Sequence, residues 1–293
     1  MHLWNDGAMS TVLSIQSSVA YGHAGNSAAV FPMQRAGIDV IAVYTVHFSN
    51  HTGYQSWRGP LLAPDDVRAV VTGVEERDAL PAVDALLCGY LGAPEMGEVI
   101  LEAGEKVKSH NPNAVFCADP VMGDVDRGFY ARPGIPEFWR DRVVEKADIM
   151  SPNLFELEFL TGRQTKTLAD VVSAAQSLRA AGPDVVLVTS TTADDLPADE
   201  LHMLAVRRDE VFIVSTPKLD RTFTGSGDLT TATFLTHWLR AKNLAEALGR
   251  TASVVYSILE ATTAQGAREL RLVSAQEDIV EPRFTFEARK LEI

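Results

Sequence analysis

Short apolar runs alternate with longer amphipathic segments along most of the chain. Continuous apolar runs are typical of strands buried on both faces of a mainly parallel sheet, and the amphipathic segments are typical of helices that cover it. The predicted strands are 12–15, 40–46, 85–88, 114–117, 148–150 and 185–188. The predicted helices are 26–36, 64–77, 95–109, 136–146, 153–160, 168–181, 227–241 and 244–263.

Alternating positions appear late in the chain. Residues 201–215 alternate between apolar and polar types around the charged residues 207–210, which predicts an antiparallel edge hairpin. From Arg283 onward the alternation FTFEARKLEI predicts a terminal edge strand or tail. No repeat or linker interrupts the strand–helix rhythm, so we expect one α/β domain over residues 9–293. Residues 1–8, before Met9, are expected to be a leader or an alternative start.

Charge and cysteine content exclude several classes of protein. The net charge is −13, and an acidic protein repels nucleic-acid phosphates and anionic lipid, so neither is expected as a partner. Cys88 and Cys117 are the two cysteines, too few for a disulfide scaffold or a structural zinc site. With no spanning segment and no signal peptide, we expect a cytoplasmic protein.

A glycine-rich segment with an aspartate lies in the last third of the chain, Thr224-Gly225-Ser226-Gly227-Asp228. Its glycines can present backbone amides, and the following helix adds a partial positive charge, so the segment suits an anion. A carboxylate beside a phosphoryl group could take a proton from an attacking hydroxyl. The competing interpretation is an Asp N-cap after a glycine turn. P-loop, dinucleotide-fold, zincin and G-x-S-x-G motifs are absent.

Acidic residues follow two predicted strands. Asp119 and Asp124 lie in DPVMGD after strand 114–117, and Glu156 lies in SPNLFELE after strand 148–150. Open α/β sheets bind ligands at the carboxyl ends of their strands, and oxygen ligands suit Mg²⁺ carried by a nucleotide. An ordinary Asp-Pro turn and a helix-capping Glu156 are the alternatives.

The first strand ends in polar residues and leads into a glycine-bracketed loop. Ser17 could bind a small polar ligand there, whereas His23 could be a ligand contact or a structural residue. Residues 47–54, HFSNHTGY, place hydroxyls and aromatic rings in one loop. That mixture suits a flat polar ring, and it also suits an ordinary surface loop.

Together these segments resemble the pyridoxal kinases of the ribokinase-like superfamily, specifically the bacterial PdxY type. The resemblance runs in order from about residue 11 to 280. The matching residues are Gln16-Ser17, Tyr21-Gly22-His23-Ala24-Gly25-Asn26-Ser27, Phe48-Ser49-Asn50-His51-Thr52, Gly89-Tyr90-Leu91-Gly92, Asp119-Pro120-Val121-Met122-Gly123, Pro152-Asn153 with Glu156, and Gly225-Ser226-Gly227-Asp228.

The resemblance implies a ribokinase-like three-layer αβα sandwich with a central, mostly parallel sheet and an antiparallel edge hairpin, commonly as a homodimer. It implies ATP-dependent phosphorylation of the 5′-hydroxymethyl group of pyridoxal to pyridoxal 5′-phosphate in vitamin B6 salvage. Pyridoxamine and pyridoxine are further candidate substrates.

Residue roles are carried over from the same resemblance. Asp228 resembles the general base, and Gly225 and Gly227 resemble the anion hole for the transferring phosphoryl group. Mg²⁺ and a monovalent cation such as K⁺ are implied beside Asp119, Asp124 and Glu156. The implied pyridoxal contacts are Ser17, Thr52, Tyr90 and Asp228. The implied ATP contacts are Asp119, Ser151, Glu156, Thr189, Thr216, Pro217, Lys218 and Leu219.

Two other functions compete with this one. The first is hydroxymethylpyrimidine kinase, although the branch that resembles both enzymes has a cysteine where this chain has Asp228. The second is a non-catalytic carrier or sensor of pyridoxal phosphate, in which an acid at position 228 would be unnecessary.

Overall fold

Strands and helices alternate through the part of the chain that the computed structural model describes, residues 9–292. The strands are β1 Thr11–Val19, β2 Asp39–Phe48, β3 Val83–Cys88, β4 Val115–Ala118, β5 Gly123–Asp124, β6 Gly128–Phe129, β7 Ile149–Met150, β8 Val185–Thr191, β9 Glu200–Arg207, β10 Glu210–Pro217 and β11 Arg289–Lys290. The helices are α1 Asn26–Arg35, α2 Pro64–Glu75, α3 Met96–His110, α4 Ile135–Phe138, α5 Leu154–Thr161, α6 Leu168–Ala181, α7 Ser226–Ala241, α8 Leu244–Ala264 and α9 Glu277–Val280.

One nine-stranded sheet carries the fold, in the order β11-β10-β9-β8-β7-β4-β3-β1-β2. Neighbouring strands from β2 to β8 are parallel, while β8, β9, β10 and β11 pair antiparallel. Each connection between two parallel strands contains a helix, which returns the chain to the end of the sheet where the next strand begins. The carboxyl ends of β1, β3, β4, β7 and β8 therefore meet at one edge.

Helices cover both faces of the sheet. On one face, β1 residues Leu13 and Ile15 pack in a cluster with buried residues of α2, α3, α5 and α6. On the other, the alternate residue Val12 packs with buried residues of α1, α7 and α8. Because both faces are buried, the strands are apolar almost throughout, as the sequence pattern predicted. The three-layer αβα sandwich is confirmed.

Most predicted elements are present, with ends that differ by a few residues. The exception is the predicted helix 136–146, which consists of α4 and a π-helical turn at Trp139–Val143. The N–H of Val144 donates to the carbonyl of Trp139 at 3.1 Å, five residues back. This wider turn occurs where the Trp139 side chain is fully buried.

The predicted hairpin is present as β9 and β10, but it is not the outermost part of the sheet. β11 pairs with β10 and lies beyond it. The predicted terminal strand is therefore found, although it is only two residues long. The sequence did not predict the small β5–β6 hairpin, which carries Asp124.

The sheet continues without a break, which supports the expectation of one domain; that division stays a prediction. The predicted leader, residues 1–8, lies outside the described residues, as does Ile293. Between residues 9 and 292, no helix is long and apolar enough to cross a membrane.

Candidate active site

Three predicted site residues lie at the carboxyl ends of neighbouring parallel strands. Ser17 is near the end of β1, Asp119 follows β4, and Ser151 follows β7. All three are buried. The first turns of α5 and α7, which carry Glu156 and Asp228, complete the set. The topology thus brings together residues that are far apart in the sequence.

The glycine segment forms the start of α7. Gly225 has φ 81° and is the N-cap residue. A Cβ at this position would lie 2.1 Å from the carbonyl oxygen of His23, so only glycine fits between the two loops. Gly227, in contrast, faces open space. The turn is therefore open at Gly227, and the phosphoryl group expected there stays a prediction.

Asp228 lies in the first turn of α7, three residues after the N-cap, so its interpretation as the N-cap is wrong. The residue as a whole is partly exposed, whereas its carboxyl group is removed from water. Removal from water raises the pKa of Asp228 to about 6, although hydrogen bonds from the backbone N–H groups of Gly25 and of Asp228 itself oppose the shift. A carboxylate with this pKa is largely ionised at neutral pH and can accept a proton.

Asp119 is held by a residue of α7. The Thr231 hydroxyl lies 3.0 Å from Oδ2 of Asp119 and 2.9 Å from Oγ of Ser151. Burial raises the pKa of Asp119 well above its ordinary value, the carboxylates of Glu156 and Asp228 raise it further, and the Thr231 hydrogen bond opposes them. Asp119 is therefore repelled by both of the other site carboxylates.

Glu156 both caps a helix and faces the strand ends. Its carboxylate accepts the N–H of Met122 at 3.0 Å and that of Asn153 at 2.9 Å, while Asn153 Oδ1 accepts the N–H of Glu156 at 3.0 Å. This reciprocal pair is a capping box. Burial raises the pKa of Glu156 to about 8, although the backbone hydrogen bonds to its carboxylate act in the opposite direction. The capping alternative is thus correct, and it places the carboxylate next to the loop after β4.

Asp124 faces a different partner. Its Oδ1 accepts the N–H of Arg127 and its Oδ2 the Nε of Arg127, both at 2.8 Å. Across residues 9–292, no three His, Cys, Asp or Glu side chains are grouped closely enough to hold a metal ion. The expected three-carboxylate set is therefore not a preformed cluster, because Asp124 is engaged by Arg127 and Glu156 by backbone N–H groups.

The carboxylates of Asp119 and Glu156 nevertheless suit a cation that binds together with a nucleotide. Asp119 and Glu156 are buried carboxylates, and the ion pairs found in the described part of the chain give neither of them a lysine or arginine partner. Buried, mutually repelling carboxylates with raised pKa values are stabilised in their ionised form by a nearby cation. Metal roles for Asp119, Asp124 and Glu156 stay predictions.

The predicted ring contacts surround the end of β1. Gly25, with φ 55°, packs so closely on Ser17 that a Cβ would lie 2.3 Å from the Ser17 Oγ. Tyr90 packs against Val19, Val46 and Phe48. Thr52 lies in the exposed loop after β2. Ser17 and Tyr90 thus lie at the carboxyl ends of neighbouring strands. The position of Thr52, in contrast, depends on the conformation of the loop after β2.

The predicted nucleotide contacts lie around the ends of β7, β8 and β10. Ser151 and Thr189 are buried, and Thr189 forms a parallel bridge with Asn153. The Thr216 hydroxyl donates to the carbonyl of Leu201 at 3.3 Å, and Leu219 is partly exposed. Pro217 and Lys218 are exposed. Lys218 also lines a cleft of about 710 Å³ with Phe155, Lys166 and residues 192–194 and 196–198.

Sequence reasoning missed two residues of this site. Thr231 was not singled out, although a polar residue three positions after Asp228 lies on the same side of the helix. Gly25 was noted only as part of a loop, yet its backbone N–H is one of the groups that lower the pKa of the Asp228 carboxyl against the effect of burial. Helical spacing could have suggested Thr231. The contact between Gly25 and Asp228 joins residues 203 positions apart, and no local pattern indicates it.

Comparison with known proteins supports a kinase site. The phosphomethylpyrimidine kinase family model matches residues 29–272. The chain is 53% identical over 96% of its length to the pyridoxal kinase PdxY of Rubrobacter xylanophilus, covering 97% of that protein. It is 51% identical over 94% of its length to the pyridoxal kinase PdxY of Leifsonia xyli, again covering 97% of the relative.

Solved structures agree with the sequence relatives. The pyridoxal kinase of Leishmania donovani in complex with ADP and pyridoxamine superposes with a TM-score of 0.90 at 29% identity, covering 96% of this chain and 99% of that one. The pyridoxal kinase of Trypanosoma brucei has a TM-score of 0.86 at 27% identity, with coverage of 97% and 100%. The fold, the ordered site segments and these near-full-length identities show that the chain belongs to the PdxY family of pyridoxal kinases.

Proposed function

We propose that this chain is an ATP-dependent pyridoxal kinase that phosphorylates the 5′-hydroxymethyl group of pyridoxal to give pyridoxal 5′-phosphate in vitamin B6 salvage. Pyridoxamine and pyridoxine are further acceptors. The observation that carries the proposal is Asp228, whose pKa is about 6 and whose carboxylate lies at the open glycine turn of α7. Relatives at 53% and 51% identity named pyridoxal kinase support the choice of substrate.

Asp228 acts as the general base in this proposal. Its ionised carboxylate takes the proton of the substrate hydroxyl as that oxygen attacks the γ-phosphoryl group, and ADP leaves. The packing of Gly225 on the His23 carbonyl holds the first turn of α7 in place. A fixed base and a fixed acceptor lower the entropic part of the barrier.

Charge on the transferring phosphoryl group is stabilised by the start of α7. The amides around Gly225 and Gly227 and the partial positive charge of the helix N-terminus act as the anion hole. Asp119 and Glu156 would hold Mg²⁺ together with the ATP phosphates. When bound there, Mg²⁺ supplies positive charge that offsets the triphosphate and the three site carboxylates. A monovalent cation such as K⁺ is a further proposed activator.

The remaining residues position the two substrates. Ser17, Thr52 and Tyr90 hold the pyridine ring so that its hydroxymethyl group faces Asp228. Ser151, Thr189 and residues 216–219 line the nucleotide side. Thr231 has an indirect role, because its hydroxyl contacts Asp119 and Ser151 and positions these two side chains.

We propose a cytoplasmic homodimer with no nucleic-acid or membrane partner. Cys88 and Cys117 are free and buried, which supports a reducing compartment. The net charge of −13 disfavours polyanionic partners. Sedimentation and native mass measurements on the purified full chain would determine the oligomeric state.

A second candidate activity is phosphorylation of hydroxymethylpyrimidine, because the matching family model is described as phosphomethylpyrimidine kinase. Both acceptors offer a hydroxymethyl group on a flat heteroaromatic ring, so the base and the anion hole would serve either. The identity of the ring contacts decides between them.

One experiment separates the candidates. ATP consumption is measured with pyridoxal, pyridoxine, pyridoxamine and hydroxymethylpyrimidine at equal concentrations, and each phosphorylated product is identified by mass. We expect the highest kcat/KM with pyridoxal. A higher value with hydroxymethylpyrimidine would reassign the substrate. Binding of pyridoxal phosphate without ATP consumption for any acceptor would indicate a carrier or sensor instead.

A further inference from the structure

The carboxylate of Glu269, in the loop between α8 and α9, bridges two other loops. Its Oε2 accepts the backbone N–H of His23 at 3.0 Å, and its Oε1 accepts the Tyr54 hydroxyl at 2.6 Å. His23 belongs to the loop after β1, and Tyr54 to the loop after β2. One side chain, more than 200 residues along the chain from both, therefore joins these loops.

Neighbouring side chains enclose this carboxylate. Nε2 of His51 lies 3.5 Å from Oε1 of Glu269, and each of the two side chains is 11% exposed. The guanidinium of Arg268 lies 3.7 Å from the centre of the Tyr54 ring. The His51 and Tyr54 rings are 4.6 Å apart. Charge-assisted hydrogen bonds and ring packing of this kind hold a surface loop more firmly than exposed ion pairs do.

Both bridged loops reach the candidate active site. The loops run side by side, with the Tyr21 N–H donating to the carbonyl of Ser49 at 2.8 Å. The His23 carbonyl packs on Gly225 at the start of α7. Thr52 directly follows His51 and is itself exposed, so its position depends on the residues that hold the loop.

We propose that Glu269 is a positioning residue that holds residues 49–54 against the loop after β1, and so places Thr52 opposite Ser17 and Asp228 for the acceptor ring. The inference rests on the proposed kinase function. Glu269 touches neither substrate nor reacting atoms in this proposal; it acts through His51 and Tyr54. A small displacement of a positioning loop costs much in rate, because the attacking hydroxyl must be aligned with the phosphoryl group.

The kinetic test compares Glu269→Ala, Glu269→Gln and Tyr54→Phe in the full-length chain. We expect Glu269→Ala to raise the KM for pyridoxal by about tenfold, the size expected for loss of a hydrogen bond to a charged group, and to leave the KM for ATP unchanged. Glu269→Gln keeps one carbonyl acceptor and should recover part of that loss. Tyr54→Phe should raise the KM less than Glu269→Ala, and the double variant should show less than the product of the two effects.

A matched control is Glu277→Ala, which removes an exposed glutamate paired with Arg35 at 2.9 Å on the nearby helix α9. It should leave both KM values at the wild-type level. If Glu269→Ala and Glu269→Gln change the KM for pyridoxal and the KM for ATP equally, the role of Glu269 is a general structural one and the proposal is overturned. An unchanged KM for pyridoxal in both variants would also overturn it.

A second readout does not require activity. Arg58 is exposed in the same loop and is a trypsin site. Cleavage after Arg58 should be several-fold faster in Glu269→Ala than in wild type or Glu277→Ala, since cleavage follows local opening. Wild-type cleavage rates in Glu269→Ala would overturn the loop-holding role. An inactive wild type with the expected cleavage pattern would refute the kinase function and leave the loop-holding role standing.

Discussion

The Thr231 hydroxyl lies 3.0 Å from Oδ2 of Asp119, which joins the end of β4 to helix α7. Because Asp228 is in the first turn of the same helix, this contact fixes the general-base candidate relative to the metal-binding candidate. Asp119 and Asp228 also raise each other's energy when both are ionised, as the raised pKa of Asp119 shows. A cation bound nearby would relieve this repulsion. The candidate base, the candidate cation site and the candidate anion hole are therefore linked through the start of α7.

Asp228→Asn tests the base directly. Asparagine has the same shape and cannot accept the proton usefully, so we expect kcat to fall by at least about 10²-fold, the lower range for general-base catalysis. Thermal stability and both substrate affinities should stay close to wild type. Asp209→Asn, in the exposed turn between β9 and β10, is a matched control. A folded Asp228→Asn protein with near-normal pyridoxal phosphorylation would refute the base assignment.

The pH dependence follows from the same residue. The pKa of Asp228 is about 6 because burial disfavours its ionised form, and the ionised form is the one that accepts a proton. At saturating Mg²⁺, which keeps Asp119 and Glu156 ionised in this proposal, the kcat/KM for pyridoxal should therefore rise with pH through about 6 and level off above it, with a slope of about tenfold per pH unit on the acid side. The residual activity of Asp228→Asn should not show this rise with pH. ATP itself also titrates in this range, and it does so in assays of both proteins. A rise that is retained in Asp228→Asn would therefore belong to a group other than Asp228.

Asp119 and Asp124 should differ in a Mg²⁺ titration. Asp119 is buried and has no cationic partner among the ion pairs of residues 9–292, whereas Asp124 is paired with Arg127. We expect Asp119→Ala to raise the Mg²⁺ concentration for half-maximal activity by about tenfold or more, and Asp124→Ala to raise it less. Activity is measured against free Mg²⁺ at fixed ATP. An unchanged titration in folded Asp119→Ala would remove this residue from the metal set.

Ser17→Ala should separate the two substrates. A hydrogen bond to the pyridine ring is worth about 0.5–1.5 kcal/mol, so the KM for pyridoxal should rise by about two- to tenfold. The KM for ATP should not change, since Ser17 lies at the end of β1 and the nucleotide candidates lie near β7, β8 and β10. Steady-state kinetics with each substrate varied in turn measures both values. A higher KM for ATP with an unchanged KM for pyridoxal would reverse the assignment of the two halves of the site.

The elements and the class of fold could be predicted from the sequence. Burial on both faces makes parallel strands apolar throughout, and the runs at residues 185–187 and 85–88 show this pattern in the amino-acid sequence itself. The glycines before Asp228 and the carboxylates after two strands likewise indicated an anion and cation site, because the required chemistry lies within a few residues. Element ends, the π-helical turn at Trp139 and the β5–β6 hairpin were not predicted, since packing decides them.

By itself the sequence determined most of the segments that form strands and helices, and it indicated which local segments suit a phosphate and a base. Only the tertiary structure decided how these segments face each other. Gly225 packs on His23, Thr231 contacts Asp119, and Glu269 contacts His23 and Tyr54. Each of these pairs is separated by more than 100 residues. Local propensity carries no information about such contacts, because they form only when the strand order brings distant loops to the same edge of the sheet.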